Sequence, residues 1–194
     1  MKYDAEVINR VIGLIVKANP KQLRMREIAT DLGCRTACCI AGWVITDDMI
    51  QQGAKVVDAA RVHSYATGGY IQVEKSMNFA ARKLLSPALS WVERDELALD
   101  LIQFLFTMQS LDEAVLAQLL VEFGFIPKAD LDCGPMLDCG PMQAFDKYLP
   151  PPVRQAAAVR VLTILRDEGE IDWERAIREA AAEYKAQVGI TNQG

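Results

Sequence analysis

The sequence predicts an all-α protein, a single-domain bundle of about six to eight helices. Three observations carry this. Apolar residues recur at helical spacing in most segments, helix-starting and helix-stopping residues bracket those segments, and no run alternates apolar and polar residues as a half-buried strand would. At 194 residues and 51% hydrophobic content the chain can bury a large core without a metal or disulfide.

In chain order, Val7, Val11, Leu14, Ile15 and Ala18 share one face of a first helix, and Asn19-Pro20 ends it. Met25–Asp31 reads as a short helical turn. Thr36–Ile45 reads as a buried helix, with Thr36 as its N-cap. Val73, Met77, Ala80, Ala81 and Leu84 outline the next helix, stopping at Ser86-Pro87. Another is expected from about Val92 to Met108, with Leu97, Leu101, Phe104, Leu105 and Met108 inward. Ser110-Leu-Asp-Glu113 has the form of a capping box, and Leu116, Leu119, Leu120 and Phe123 follow it up to Gly124. Val153, Ala157, Val161, Ile164 and Leu165 line a helix ending before Gly169. Trp173, Ile177, Ala180, Ala181, Tyr184 and Val188 line the last, with Asp172 as N-cap.

Three segments interrupt the pattern. Val62–Val73 holds Thr67-Gly68-Gly69 between residues of strand-like composition and reads as a loop or small hairpin. LDCGPM occurs twice in succession over Leu131–Met142, within a surface-loop insertion expected at about 126–152. Pro150-Pro151-Pro152 reads as a stiff spacer before a helix beginning at Val153.

The net charge of −5 gives no general attraction to a phosphate backbone, and no dense basic patch occurs. Charges through the first ten residues, with Asn9 and Arg10 inside the apolar stretch, resemble neither a signal peptide nor a membrane span. Five cysteines, an odd number, point to reduced thiols in a cytoplasm. Cys34, Cys38 and Cys39 lie close together, but Cys133 and Cys139 belong to the duplicated segment and His63 is the lone histidine. That spacing fits zinc poorly, so neither metal nor cofactor is expected. A thiol- or zinc-dependent enzyme using Cys34, Cys39 and His63 is the alternative reading. Asp47-Asp48 and Glu168, Glu170 and Asp172 are expected to cap or solvate helix ends. A helix-turn-helix over Met25–Trp43 is a second alternative. Its second helix, however, is apolar on every face, which suits a core and not a groove in DNA.

The run Asn19-Pro20-x-x-Leu23-x-Met25, followed by Cys34-x-Thr36-x-x-Cys39-x-Ala41-Gly42-Trp43, resembles a family of small uncharacterised bacterial and phage proteins with a CGTxxCxAGW signature. Ala80-Ala81-x-x-Leu84-Leu85 and Leu101–Phe106 extend the likeness over roughly the first 110 residues. Arg35 replaces the signature's glycine, and Cys38 is an additional cysteine. The resemblance implies a bacterial or phage setting and no mechanism. Cys34, Thr36, Cys39, Gly42 and Trp43 are then expected to form a structural core motif.

By elimination the expected role is binding of another protein, regulatory or inhibitory, with no nucleic acid or membrane as partner. The expected contact surface is Tyr65, Gly68, Gly69 and Tyr70, because two tyrosines about a chain reversal offer large contact area with few torsions to fix.

Overall fold

The computed structural model describes residues 2–26, 30–31, 36–37, 39–53, 70–131 and 140–191. Among them the protein is all-α, with eight helices of nine residues or more and one single turn. The first helix, α1 (Ala5–Lys17), is capped by Asp4, whose carboxylate accepts from the amides of Glu6 and Val7 at 3.0 and 3.1 Å. It buries Ile8, Val11 and Ile15 and stops at Ala18. Asn19 then caps a 3-10 turn, Pro20–Gln22, by a reciprocal box with Gln22.

The segment expected as a helical turn is partly extended. Thr30–Asp31 (β1) pairs antiparallel with Thr36–Ala37 (β2), Thr30 opposite Ala37 and Asp31 opposite Thr36. Thr36 is therefore in a strand and does not cap the next helix. That helix, α2 (Ile40–Gln51), starts after Cys39, which occupies the cap position without a side-chain hydrogen bond. It buries Ile40 to Asp47 continuously, and Met49, as its all-round apolar sequence requires. Thr46 satisfies its hydroxyl on the Gly42 carbonyl at 2.9 Å.

Helix α3 (Tyr70–Lys83) packs on α2. After it, the chain pairs with the N-terminal residues: Asp4 N–H donates to the Leu84 carbonyl at 2.8 Å, and Ser86 N–H to the Lys2 carbonyl at 3.0 Å. Helix α4 (Trp91–Asp100) follows and packs on α3. The helix expected to run to Met108 instead widens to π geometry at Leu101–Phe106. It closes at Thr107, and Met108 takes a left-handed backbone, φ 56°.

Helix α5 (Glu113–Glu122) is capped by Asp112, two residues after the serine expected to cap it. Leu111 and Leu116, both buried, stand at staple spacing around that cap and set its register. The helix closes through Gly124, φ +64°, with Gly124 N–H on the Val121 carbonyl and Phe125 N–H on that of Leu120, the paired bonds of a Schellman motif. The stretch 126–152 is not a plain surface loop. It holds the single turn α6 (Lys128–Leu131) and α7 (Gly140–Tyr148), and α7 buries Ala144 and Phe145 in the core. Nor are the three prolines a spacer. Pro150 is the N-cap of α8 (Pro151–Asp167), and Pro151 and Pro152 fill its first turn, where a missing N–H costs nothing.

Helix α8 packs against both α1 and α9 (Trp173–Thr191). Gln155 on α8 donates to the carbonyls of Ile15 and Ala18 at the C-terminal end of α1, tying that end to the centre of the fold. Asp172 accepts from Arg175 N–H at 2.9 Å, as the sequence predicts for the start of α9. Trp173 is 1% exposed, meets Phe145 edge-on at 5.6 Å, and gives its indole N–H to the Phe104 carbonyl of the π segment at 3.0 Å. Among the described residues no helix is long and apolar enough to cross a membrane.

Candidate functional site

Of the surface expected at the 62–73 segment, Tyr65, Gly68 and Gly69 lie outside the described residues, as do His63, Cys34, Cys38, Cys133 and Cys139. Tyr70 is the first residue of α3, and residues 70–73 form a helical turn where a loop or strand was expected; the reversal expected at Thr67-Gly68-Gly69 lies outside the described residues. The β-branched and aromatic residues that suggested a strand there have only moderate helix preference, and packing of α3 on α2 overrides it.

Cys39, Gly42 and Trp43 are all buried at the start of α2. Burial pushes the Cys39 thiol up to about 11, ahead of the opposing pull of the nearby helix amides. At neutral pH roughly one thiol in ten thousand would then be thiolate, the reverse of an activated nucleophile. Native-state alkylation of Cys39 is expected to be slow and to reach full rate only on unfolding. Equal rates in folded and denatured protein would contradict its burial. Among the described residues no group of three or more histidine, cysteine or acidic side chains is placed to hold a metal.

Asp47 and Asp48 do not cap a helix end. Asp47 is 4% exposed in the body of α2 and receives the Arg10 Nε on both carboxylate oxygens, at 3.2 and 3.1 Å. Asp48 pairs with Lys83 of α3. The two acids therefore tie α2 to its neighbours on either side, each carboxylate neutralised across an interhelical contact.

The outer side of α4 is built differently. Ser90 and Glu93 form a reciprocal capping box, in which the Ser90 hydroxyl and then its backbone N–H donate to the Glu93 carboxylate, at 2.6 and 2.9 Å, and draw that carboxyl below its usual range. From the other side, Arg82 of α3 pairs with Asp95, and Arg94 reaches the Arg82 carbonyl at 3.4 Å. On the helix so held, Trp91 is 71%, Val92 57% and Leu99 55% exposed. Val92 and Leu99 are two turns apart on one line, with Glu96 between them. Glu93, Glu96 and Asp100 are exposed around them.

Three of the five large hydrophobic side chains exposed among the described residues thus fall within ten residues of one another. Scattered exposed apolar residues are ordinary, and it is their grouping on one capped helix that makes this side of α4 the candidate contact surface. Sequence reasoning missed this face because it counted only the inward-pointing residues of the helix. The signal was present: Ser90-x-x-Glu93 sets the helix start, and from there Val92 and Leu99 fall on the arc opposite the buried Leu101.

No family model, curated protein or solved structure matches this chain.

Proposed function

We propose that this protein acts by binding another protein, as a regulator or inhibitor in a bacterial or phage-infected cytoplasm, and that the outer face of α4 is the contact surface. The observation that carries the reading is the exposure of Trp91 beside Val92 and Leu99 on a helix anchored by its capping box and by the pairing of Arg82 with Asp95. An anchored helix has little ordering entropy left to lose on binding, and an exposed tryptophan is the side chain most often dominant at an interface. Glu93, Glu96 and Asp100 around the apolar line specify the complement: an amphipathic helix with basic residues flanking its own apolar stripe. The burial of α2 on all sides supports this reading over one in which that helix enters a DNA groove.

A synthetic leucine/lysine amphipathic helix is a direct probe. Its binding is expected to shift the emission of Trp91 to shorter wavelength, whereas a leucine/glutamate helix should not bind. Trp91→Ala should weaken the complex by about 30-fold, the equivalent of an anchor worth ~2 kcal/mol, with a near-native melting temperature. Glu96→Lys should weaken it with the apolar contacts intact. Equal binding of both peptides would reject the charge complementarity. Concentration-dependent self-association abolished by Trp91→Ala would make a second copy of this chain the occupant and overturn the partner proposed.

A further inference from the structure

Between α1, α2, α3 and the start of α4 lies a cleft of about 330 Å³. Val7, Val44, Leu85 and Pro87 supply its apolar surface, and Gln51, the carboxylates of Asp4, Asp47 and Asp48 and four cations supply the rest. Three of its four cations are neutralised: Arg10 by Asp47, Lys83 by Asp48 and Arg82 by Asp95. The fourth is Arg94. No carboxylate among the described residues pairs with it, its Nε is shut off from solvent with no hydrogen-bond partner, and its Nη2 makes only the 3.4 Å contact with the Arg82 carbonyl.

A buried guanidinium N–H without an acceptor costs free energy, and a partly buried cation without an anion costs more. Arginine meets both needs at once when a planar oxyanion takes two parallel N–H bonds. Turning the Arg94 guanidinium toward the cleft would present the Nε–Nη2 edge to such a group and give Nε its missing acceptor. The neighbouring cations cannot compete for the role, because their own carboxylates hold them. The apolar wall formed by Val7, Val44, Leu85 and Pro87 would then meet the body of the ligand, and the volume suits a small molecule. We infer that this cleft binds a small organic oxyanion, a carboxylate or phosphate ester with a short apolar body, through Arg94. This site is separate from the outer face of α4 and does not depend on that face binding a protein.

Titration of the full chain with butyrate, phenyl phosphate, acetate and inorganic phosphate, followed by amide chemical shifts and thermal unfolding, tests the inference. Saturable shifts around the cleft are expected, with butyrate tighter than acetate and phenyl phosphate tighter than inorganic phosphate; the stronger of the first two names the headgroup. Ligand should raise the melting temperature of the wild type. Arg94→Gln should weaken binding by about tenfold or more, and Arg94→Lys, which keeps the charge but not the fork, by less. Arg178→Gln removes a positive charge paired with Glu122 and Glu174 on α9 and should leave binding unchanged. Non-saturating shifts, the same effect from chloride, or equal losses in the Arg94 and Arg178 variants would overturn the inference.

Discussion

Replacing Asp146 with alanine is expected to destabilise the fold by about 3–5 kcal/mol, the range for breaking a buried ion pair from one side. Asp146, on α7, accepts from the backbone amides of Met25 and Arg26 at 3.0 and 3.1 Å and from Arg154 at 3.3 Å. Arg154 is 7% exposed on α8 and also reaches the Asp146 carbonyl at 3.2 Å, so the same guanidinium reads both backbone and side chain of one residue. Removing the carboxylate leaves a buried cation and two amides short of acceptors, and it releases the 23–26 turn from α7. Denaturant unfolding of Asp146→Ala, Arg154→Met and the double variant would measure the coupling. The double variant should be more stable than the Asp146 single variant, because removing both charges leaves none uncompensated. A loss of less than about 1 kcal/mol on Asp146→Ala would mean that the pair behaves as a solvated surface bridge.

Trp173→Ala should cost a similar amount, about 3–5 kcal/mol, by a different mechanism. The ring fills the junction of α9, α7 and the π segment, and its N–H satisfies the Phe104 carbonyl at a helix end that offers it no other partner. Trp173→Phe separates the two contributions. It keeps most of the buried ring and loses the hydrogen bond, so a smaller loss of about 1–2 kcal/mol is expected. Thermal unfolding of Trp173→Ala beside Trp91→Ala gives the sharpest contrast available from one residue type. The two rings are 1% and 71% exposed, and only the first should lower the melting temperature substantially. Comparable losses from both would mean that Trp91 is packed and that α4 presents no free apolar face.

Features with local causes are legible in the residues alone. Helical periodicity and the absence of alternating runs set the class. Asn19-Pro20, Asp172 and Gly169 placed helix ends correctly, because capping and left-handed backbone preferences act within a turn of the chain. The all-round apolar character of Ile40–Ile45 also sufficed to bury α2, since no single-sided packing can cover such a surface. Tertiary structure alone decided the features that depend on a distant partner. Thr36 went to a strand because the segment at Thr30–Asp31 pairs with it, and α2 consequently begins three residues later than its apolar run suggested. Acids near a helix end usually cap it, which is the role the local pattern predicts for Asp47 and Asp48. Arg10 and Lys83, 37 and 35 positions away along the chain, made them interhelical ties instead. Trp91 was invisible for the complementary reason. An apolar side chain in a helical pattern looks the same whether its face is covered or left open, and coverage is a property of the neighbouring helices, which no local pattern records.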